Sequence, residues 1–123
     1  LGTDIAGGSS LSIFRATAQA IQNSKLYRAV IDSDCPPLTL AEAFYLATKG
    51  GGAFWGKVGS FASGFAFDAI IIDDTRLRSS GLSPEQRLER VVMLSEDRDI
   101  TAKFAAGRLI FDRGNPAWQS ARA

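Results

Sequence analysis

The chain has 123 residues, 46% hydrophobic and 22% charged, and 14 Lys+Arg against 13 Asp+Glu leave a formal net charge of +1. That is about one globular domain's worth of sequence, and its dispersed arginines exclude a basic nucleic-acid or anionic-membrane footprint. It has no histidine, which excludes a self-contained His-ligated metal cage, a Ser-His-Asp triad and a Cys-His pair, since each needs imidazole as ligand or base.

Leu1-Gly2-Thr3-Asp4 runs straight into a glycine turn, with neither a Met nor a signal core ahead of it. The expectation is a chain that continues upstream of Leu1. Gly7-Gly8-Ser9-Ser10 reads as a loop in which Ser9 or Ser10 caps the following helix. It lacks the lysine and spacing of a phosphate-binding loop, so it reads as a structural turn. Leu11, Phe14, Ala18 and Ile21 recur at helical spacing, and the helix is expected from about Leu11 to Lys25 or on towards Val30. Asp32 to Pro37 is a loop, because prolines disfavour helix at and before them. The single cysteine, Cys35, lies there without an intrachain partner; it fits a reducing compartment and has no base beside it to make it a nucleophile.

Thr39-Leu40-Ala41-Glu42 is a capping box that opens a second helix with Leu40, Ala43, Phe44 and Ala47 on its buried face. Gly50 is expected to end it, with Gly51-Gly52 as a flexible joint. Phe54 and Trp55 in the next turn read as core or inter-domain packing. Phe65 to Ile72 suits a strand buried on both faces, closed by Asp73-Asp74 as a solvated strand end. Ser83-Pro84-Glu85-Gln86 launches a further helix carrying Leu88, Val91, Val92 and Leu94. Ile100 to Ala106 and Arg108 to Phe111 form a hairpin around Gly107, and the tail from Arg113 to Ala123, with Trp118, is expected to fray. No apolar run approaches the roughly 20 residues of a membrane-spanning helix.

Several of these pieces resemble a known family. Leu1-Gly2-Thr3-Asp4-Ile5-Ala6-Gly7-Gly8 is similar to the metal-binding turn after the last barrel strand of guanine deaminases, members of the amidohydrolase superfamily. Leu38 to Phe44 with Ala47 to Gly51, then Val58 to Ile72, then Met93 to Ile100, resemble later segments of the same enzymes in the same order. The fold this implies is α/β. Residues 1–56 would be the end of a (β/α)8 barrel, with its last strand end and closing helices, and residues 57–123 would be strands of an accompanying small β-sandwich domain with an inserted helix and terminal hairpin.

The resemblance also implies an activity: hydrolysis of guanine, a small-molecule purine, to xanthine and ammonia by a cytoplasmic homodimer. Asp4 would be both metal ligand and catalytic carboxylate, holding one zinc with upstream histidines, orienting the attacking water and taking its proton. The metal histidines, the catalytic glutamate and the purine-gripping groups are absent from this sequence, so the chain by itself is expected to be inactive. Ala105-Ala106-Gly107 departs from the family in lacking an Asn or Asp before the glycine, which predicts another turn type.

Taken by itself, Asp4 reads more readily as a cap on the glycine turn or the following helix than as a metal-site carboxylate, and only the other matched segments reverse that; Asp68 reads as an acceptor of backbone hydrogen bonds at a strand entry. Asp73-Asp74 and Glu96-Asp97 read as a solvated strand end and a helix-exit loop. The alternatives in function are another amidohydrolase, of the cytosine deaminase or chlorohydrolase type, and a free-standing α+β binding or scaffold module. The enzyme reading predicts exposed apolar faces on the helices beginning at Leu11 and Thr39.

Overall fold

The computed structural model describes residues 1–4 and 6–115. What was read for Ile5, and for the tail beyond Asn115 with Trp118, lies outside the described residues.

Helix α1 spans Ile13–Val30, the longer of the two expected extents. Its cap is Ser12, whose hydroxyl accepts from the Arg15 amide at 3.5 Å; the earlier Ser10 instead accepts from the Ser12 amide at 3.1 Å. Leu11 therefore precedes the helix and is 74% exposed, contrary to its place in the apolar stripe. The buried residues of α1 are Thr17 and Ile21. Thr17 is tolerated there because its hydroxyl donates to the Ile13 carbonyl at 2.7 Å, which satisfies a polar group that burial would otherwise strand.

Helix α2 (Leu40–Ala47) packs on α1 and opens with the expected capping box. Glu42 accepts from the Thr39 amide at 2.8 Å, and Thr39 accepts from the Glu42 amide at 3.2 Å. Gly50 does not end this helix, and Gly51-Gly52 do not form the expected joint. Helix α2 stops at Ala47, and a further turn, α3 (Lys49–Gly52), runs into a 3-10 turn at Ala53–Trp55. Close approach explains the composition better than flexibility: a Cβ on Gly50 would lie 2.8 Å from the Tyr45 ring, and one on Gly52 2.8 Å from Val58.

Three antiparallel strands follow in the order β1-β2-β3: Ala69–Ile72, Ile100–Ala105 and Arg108–Asp112. Strand β1 is half the expected length, and it is not buried on both faces, since Ile70 and Ile71 are half-exposed. The run is apolar, but no layer among the described residues covers it fully. Between β1 and β2 lies α4 (Pro84–Leu94), which has the expected Ser83/Gln86 capping box with proline at its start and packs on α1. Val92 is buried, whereas Leu94 points outward and is exposed.

The β2–β3 turn corrects another expectation. Ala106 and Gly107 both have positive φ, 47° and 76°, the signature of a type I′ hairpin turn, despite the missing Asn or Asp. The substitute comes from afar. Asp68 accepts from the Ala106 amide at 2.7 Å, and the Phe67 carbonyl accepts from the Gly107 amide at 2.9 Å. Asp68 is thus structural, as expected, although it serves the turn 38 residues away and not its own strand. The molecule is α/β, with its small core at Ile21, Ala43, Leu77, Val92 and Ile100.

Candidate functional site

Asp4 lies in the left-handed region, with φ 50°, and Ala6 follows at φ 75°. The turn closes on the Asp4 carbonyl, which accepts from the Gly7 amide at 3.0 Å and also from the Gly8 amide. Both glycines are dictated by crowding. A Cβ on Gly7 would lie 2.5 Å from Asp4 Oδ2, and one on Gly8 would overlap the Thr3 carbonyl oxygen. The carboxylate therefore lies over the bare Cα of Gly7. It is solvent-exposed, and neither of its oxygens has a hydrogen-bond or ion-pair partner among the described residues. On one side the segment is tied down by the Leu1 nitrogen, which donates to the Leu46 carbonyl at 3.1 Å. On the other side Ser9 and Gln19 of α1 share a hydroxyl–amide contact, 2.8 Å to Nε2 and 3.1 Å to Oε1.

Several other acidic groups are engaged. Hydrogen bonds from the Thr75 hydroxyl and from its amide, the latter at 3.0 Å, hold the Asp73 carboxyl below the usual range. Asp74 accepts from Arg87 at 2.7 Å and is lowered chiefly by that bond. Glu96 pairs with Arg98 at 2.6 Å and faces Arg15 at 3.8 Å. These pairs match the structural roles expected for them. Asp99 is buried against Arg76, a pairing the sequence did not announce because its partners lie 23 residues apart. Phe54 and Trp55 are not core: they are 85% and 77% exposed and meet edge to face at 5.0 Å.

No group of three His, Cys, Asp or Glu side chains able to hold a metal occurs among the described residues. Asp4 fits one position of such a site, as a hard oxygen ligand with free lone pairs. A tetrahedral centre with an open position takes three protein ligands, so the other two would come from outside this chain's described residues. A concavity of about 510 Å³, mostly apolar, lies between α1, α2, β1 and α4, where Phe14, Phe44, Ile70 and Val91 line it; Asp4 does not.

A family model described as the amidohydrolase family matches residues 1–110. The chain belongs to the amidohydrolase family. Within that family it is similar to the probable guanine deaminase of Schizosaccharomyces pombe, at 34% identity over 89% of this chain and 23% of that protein. It is also similar to human guanine deaminase, at 32% identity over 89% and 27% respectively. Among solved structures it superposes on the guanine deaminase from C. acetobutylicum with guanine bound in the active site, with TM-score 0.86 and 44% identity over 90% of this chain and 26% of that one. The E. coli guanine deaminase gives TM-score 0.76 and 29% identity over 91% and 26%. The chain spans about a quarter of the length of these amidohydrolases.

Of the features around Asp4, sequence reasoning found the carboxylate and the glycines but passed over Gln19. A polar residue off the apolar stripe of a helix carries no signal that it meets a loop ten positions earlier.

Proposed function

We propose that this chain contributes part of the active site of a guanine deaminase, which converts guanine and water to xanthine and ammonia. The observation that carries the reading is the superposition on a guanine-bound guanine deaminase at 44% identity and TM-score 0.86, with Asp4 offering, on a glycine-built turn, a carboxylate that has no partner among the described residues. In this reading residues 1–56 end a (β/α)8 barrel, and Leu1 to Asp4 is the close of its last strand, where barrel enzymes place their chemistry. Residues 57–123 belong to a small β-sandwich domain. The complete enzyme is a cytoplasmic homodimer.

Asp4 is then both metal ligand and proton acceptor. Asp4 would hold a zinc ion together with ligands from outside the described residues, and that ion would supply a water acidic enough to react near neutral pH without a strong base. The Asp4 carboxylate would also orient the attacking water and take its proton. The positive φ of Asp4 and the bare Cα of Gly7 set where the carboxylate points. Exposed apolar residues on α1 (Leu26, Val30) and α2 (Tyr45, Leu46) support the reading, because a chain docked on further structure would leave such faces uncovered here.

The test uses a protein of its relatives' length that carries this chain. Asp4→Asn should lower guanine turnover by at least about a hundredfold with the unfolding midpoint unchanged. Turnover close to wild type would overturn the assignment. Preference for cytosine or a chlorotriazine over guanine would keep the family and replace the substrate.

A further inference from the structure

We propose that Gln19 is a positioning residue for Asp4, acting through Ser9 to hold the turn that presents the carboxylate; this rests on the reading of Asp4 given above. Asp4 and Ala6 both occupy the left-handed region, at a cost of about 1–2 kcal/mol for each residue that carries a Cβ. Such a turn is not the chain's own preference and must be held from outside. From within, it has the two amide bonds from Gly7 and Gly8 to the Asp4 carbonyl. The Asp4 side chain is registered on Gly7, because Oδ2 occupies the space where a Gly7 Cβ would be, while Gly8 is packed against the Thr3 and Asp4 carbonyl oxygens. Whatever moves Gly7 and Gly8 therefore moves the carboxylate.

Immediately after Gly8, Ser9 is fastened to α1 by Gln19, whose amide reaches the hydroxyl with both of its atoms. The chemistry is specific to a primary amide. Gln19 Nε2 donates to the serine oxygen while Oε1 can accept the serine proton, so one side chain fixes both the position and the rotor of the hydroxyl. Gln19 stands on a rigid element: α1 is anchored by buried Thr17 and Ile21 and by its packing on α2 and α4. The route runs from helix to Gln19, to Ser9, to Gly8, to Asp4.

The experiment compares Gln19→Leu, Gln19→Glu and the Asp4→Asn control in the metal-loaded protein of relatives' length. Gln19→Leu should lower kcat on guanine by about ten- to a hundredfold at unchanged KM, the upper end being the scale of a catalytic group misplaced by about 1 Å. It should also speed zinc loss to a chelator severalfold, raise hydrogen exchange at the Gly7 and Gly8 amides, and leave the unfolding midpoint in place. Gln19→Glu, which still accepts the Ser9 proton but cannot donate to its oxygen, should restore part of the rate. Wild-type kcat and zinc retention in Gln19→Leu, alongside a crippled Asp4→Asn, would overturn the positioning role and leave the reading of Asp4 standing. A lowered midpoint with no rescue by Gln19→Glu would overturn it as well, in favour of a purely structural contact. An active, zinc-retaining Asp4→Asn would instead overturn the reading of Asp4 itself.

Discussion

Arg76 grips Asp99 with two nitrogens, Nε to Oδ1 at 2.9 Å and Nη2 to Oδ2 at 2.6 Å, and the same Oδ2 accepts from the Glu96 amide at 2.8 Å. The fork also reaches the Leu94 carbonyl at 3.2 Å. One ion pair thus joins the 3-10 turn after β1 (Thr75–Leu77), the end of α4 and the entry to β2. Asp99 is 4% exposed while Arg76 keeps 42% of its side chain in water, so the carboxylate depends on its partners and the guanidinium depends less on the carboxylate.

That asymmetry gives a pH dependence. The Arg76 hydrogen bonds, helped by the Glu96 amide, hold the Asp99 carboxyl at about 2 against an ordinary 3.8. Because the folded value lies below the unfolded one, the stabilisation is fully present above about pH 4 and is lost as the pH falls through about 2. Asp99→Asn should flatten the stability profile in that window and cost on the order of 1–2 kcal/mol at pH 7, moderated by the exposure of Arg76. Glu42 and Asp74 are lowered in the same direction and leave some slope behind. Urea unfolding at pH 7, 4 and 2.5 reads the difference between the two proteins, and parallel profiles would contradict the account.

Two glycines with similar backbone angles should respond unequally to a methyl group. Gly59 has φ 75° and Gly81 has φ 78°. An added Cβ at Gly59 would sit 2.6 Å from the Thr48 carbonyl carbon and oxygen, whereas nothing lies within 4 Å of one at Gly81. Gly81→Ala should cost the left-handed penalty alone, about 1–2 kcal/mol. Gly59→Ala should cost more than that, because backbone of the α2–α3 junction must move as well. Thermal midpoints of the two variants check the ordering, and equal losses would show that the junction yields freely.

The hairpin turn offers a gain. Ala106 sits at φ 47° in a two-residue loop before Gly107, where Asn is strongly favoured. Ala106→Asn keeps the amide that donates to Asp68 and removes most of the left-handed penalty, so stability should rise by about 0.5–1 kcal/mol. Denaturant midpoints would show it, and a fall would mean that the Asn side chain competes with Asp68.

The elements that could be read from the sequence were those whose signals are local. Both capping boxes, Thr39 with Glu42 and Ser83 with Gln86, lie where their spacing put them, because each is closed within four residues. What was misread depended on distant neighbours. Gly50 looked like a helix end and Gly51-Gly52 like a joint until Tyr45, beside Gly50, and Val58, beside Gly52, supplied the atoms that exclude a Cβ. Ile70 and Ile71 looked doubly buried because an apolar run does not say what covers it. Near the candidate site, Gly7 and Gly8 announced a tight turn beside Asp4, while the Ser9–Gln19 tie needed the course of α1 to become visible.

The clamp of Asp68 on the β2–β3 turn has a consequence in time. The hairpin closes through a two-residue loop, an event of microseconds, whereas β1 must find β2 across the whole of α4, with Ala69 meeting Phe104 and Ile72 meeting Ile100. The hairpin therefore precedes the strand that later fastens it, and Asp68 arrives with the latecomer. Losing the Asp68 carboxylate should then leave the folding limb of a chevron almost where it was and steepen the loss on the unfolding side, while a change in the turn itself shifts the rate of folding. A bond formed last holds the door shut without having helped to close it.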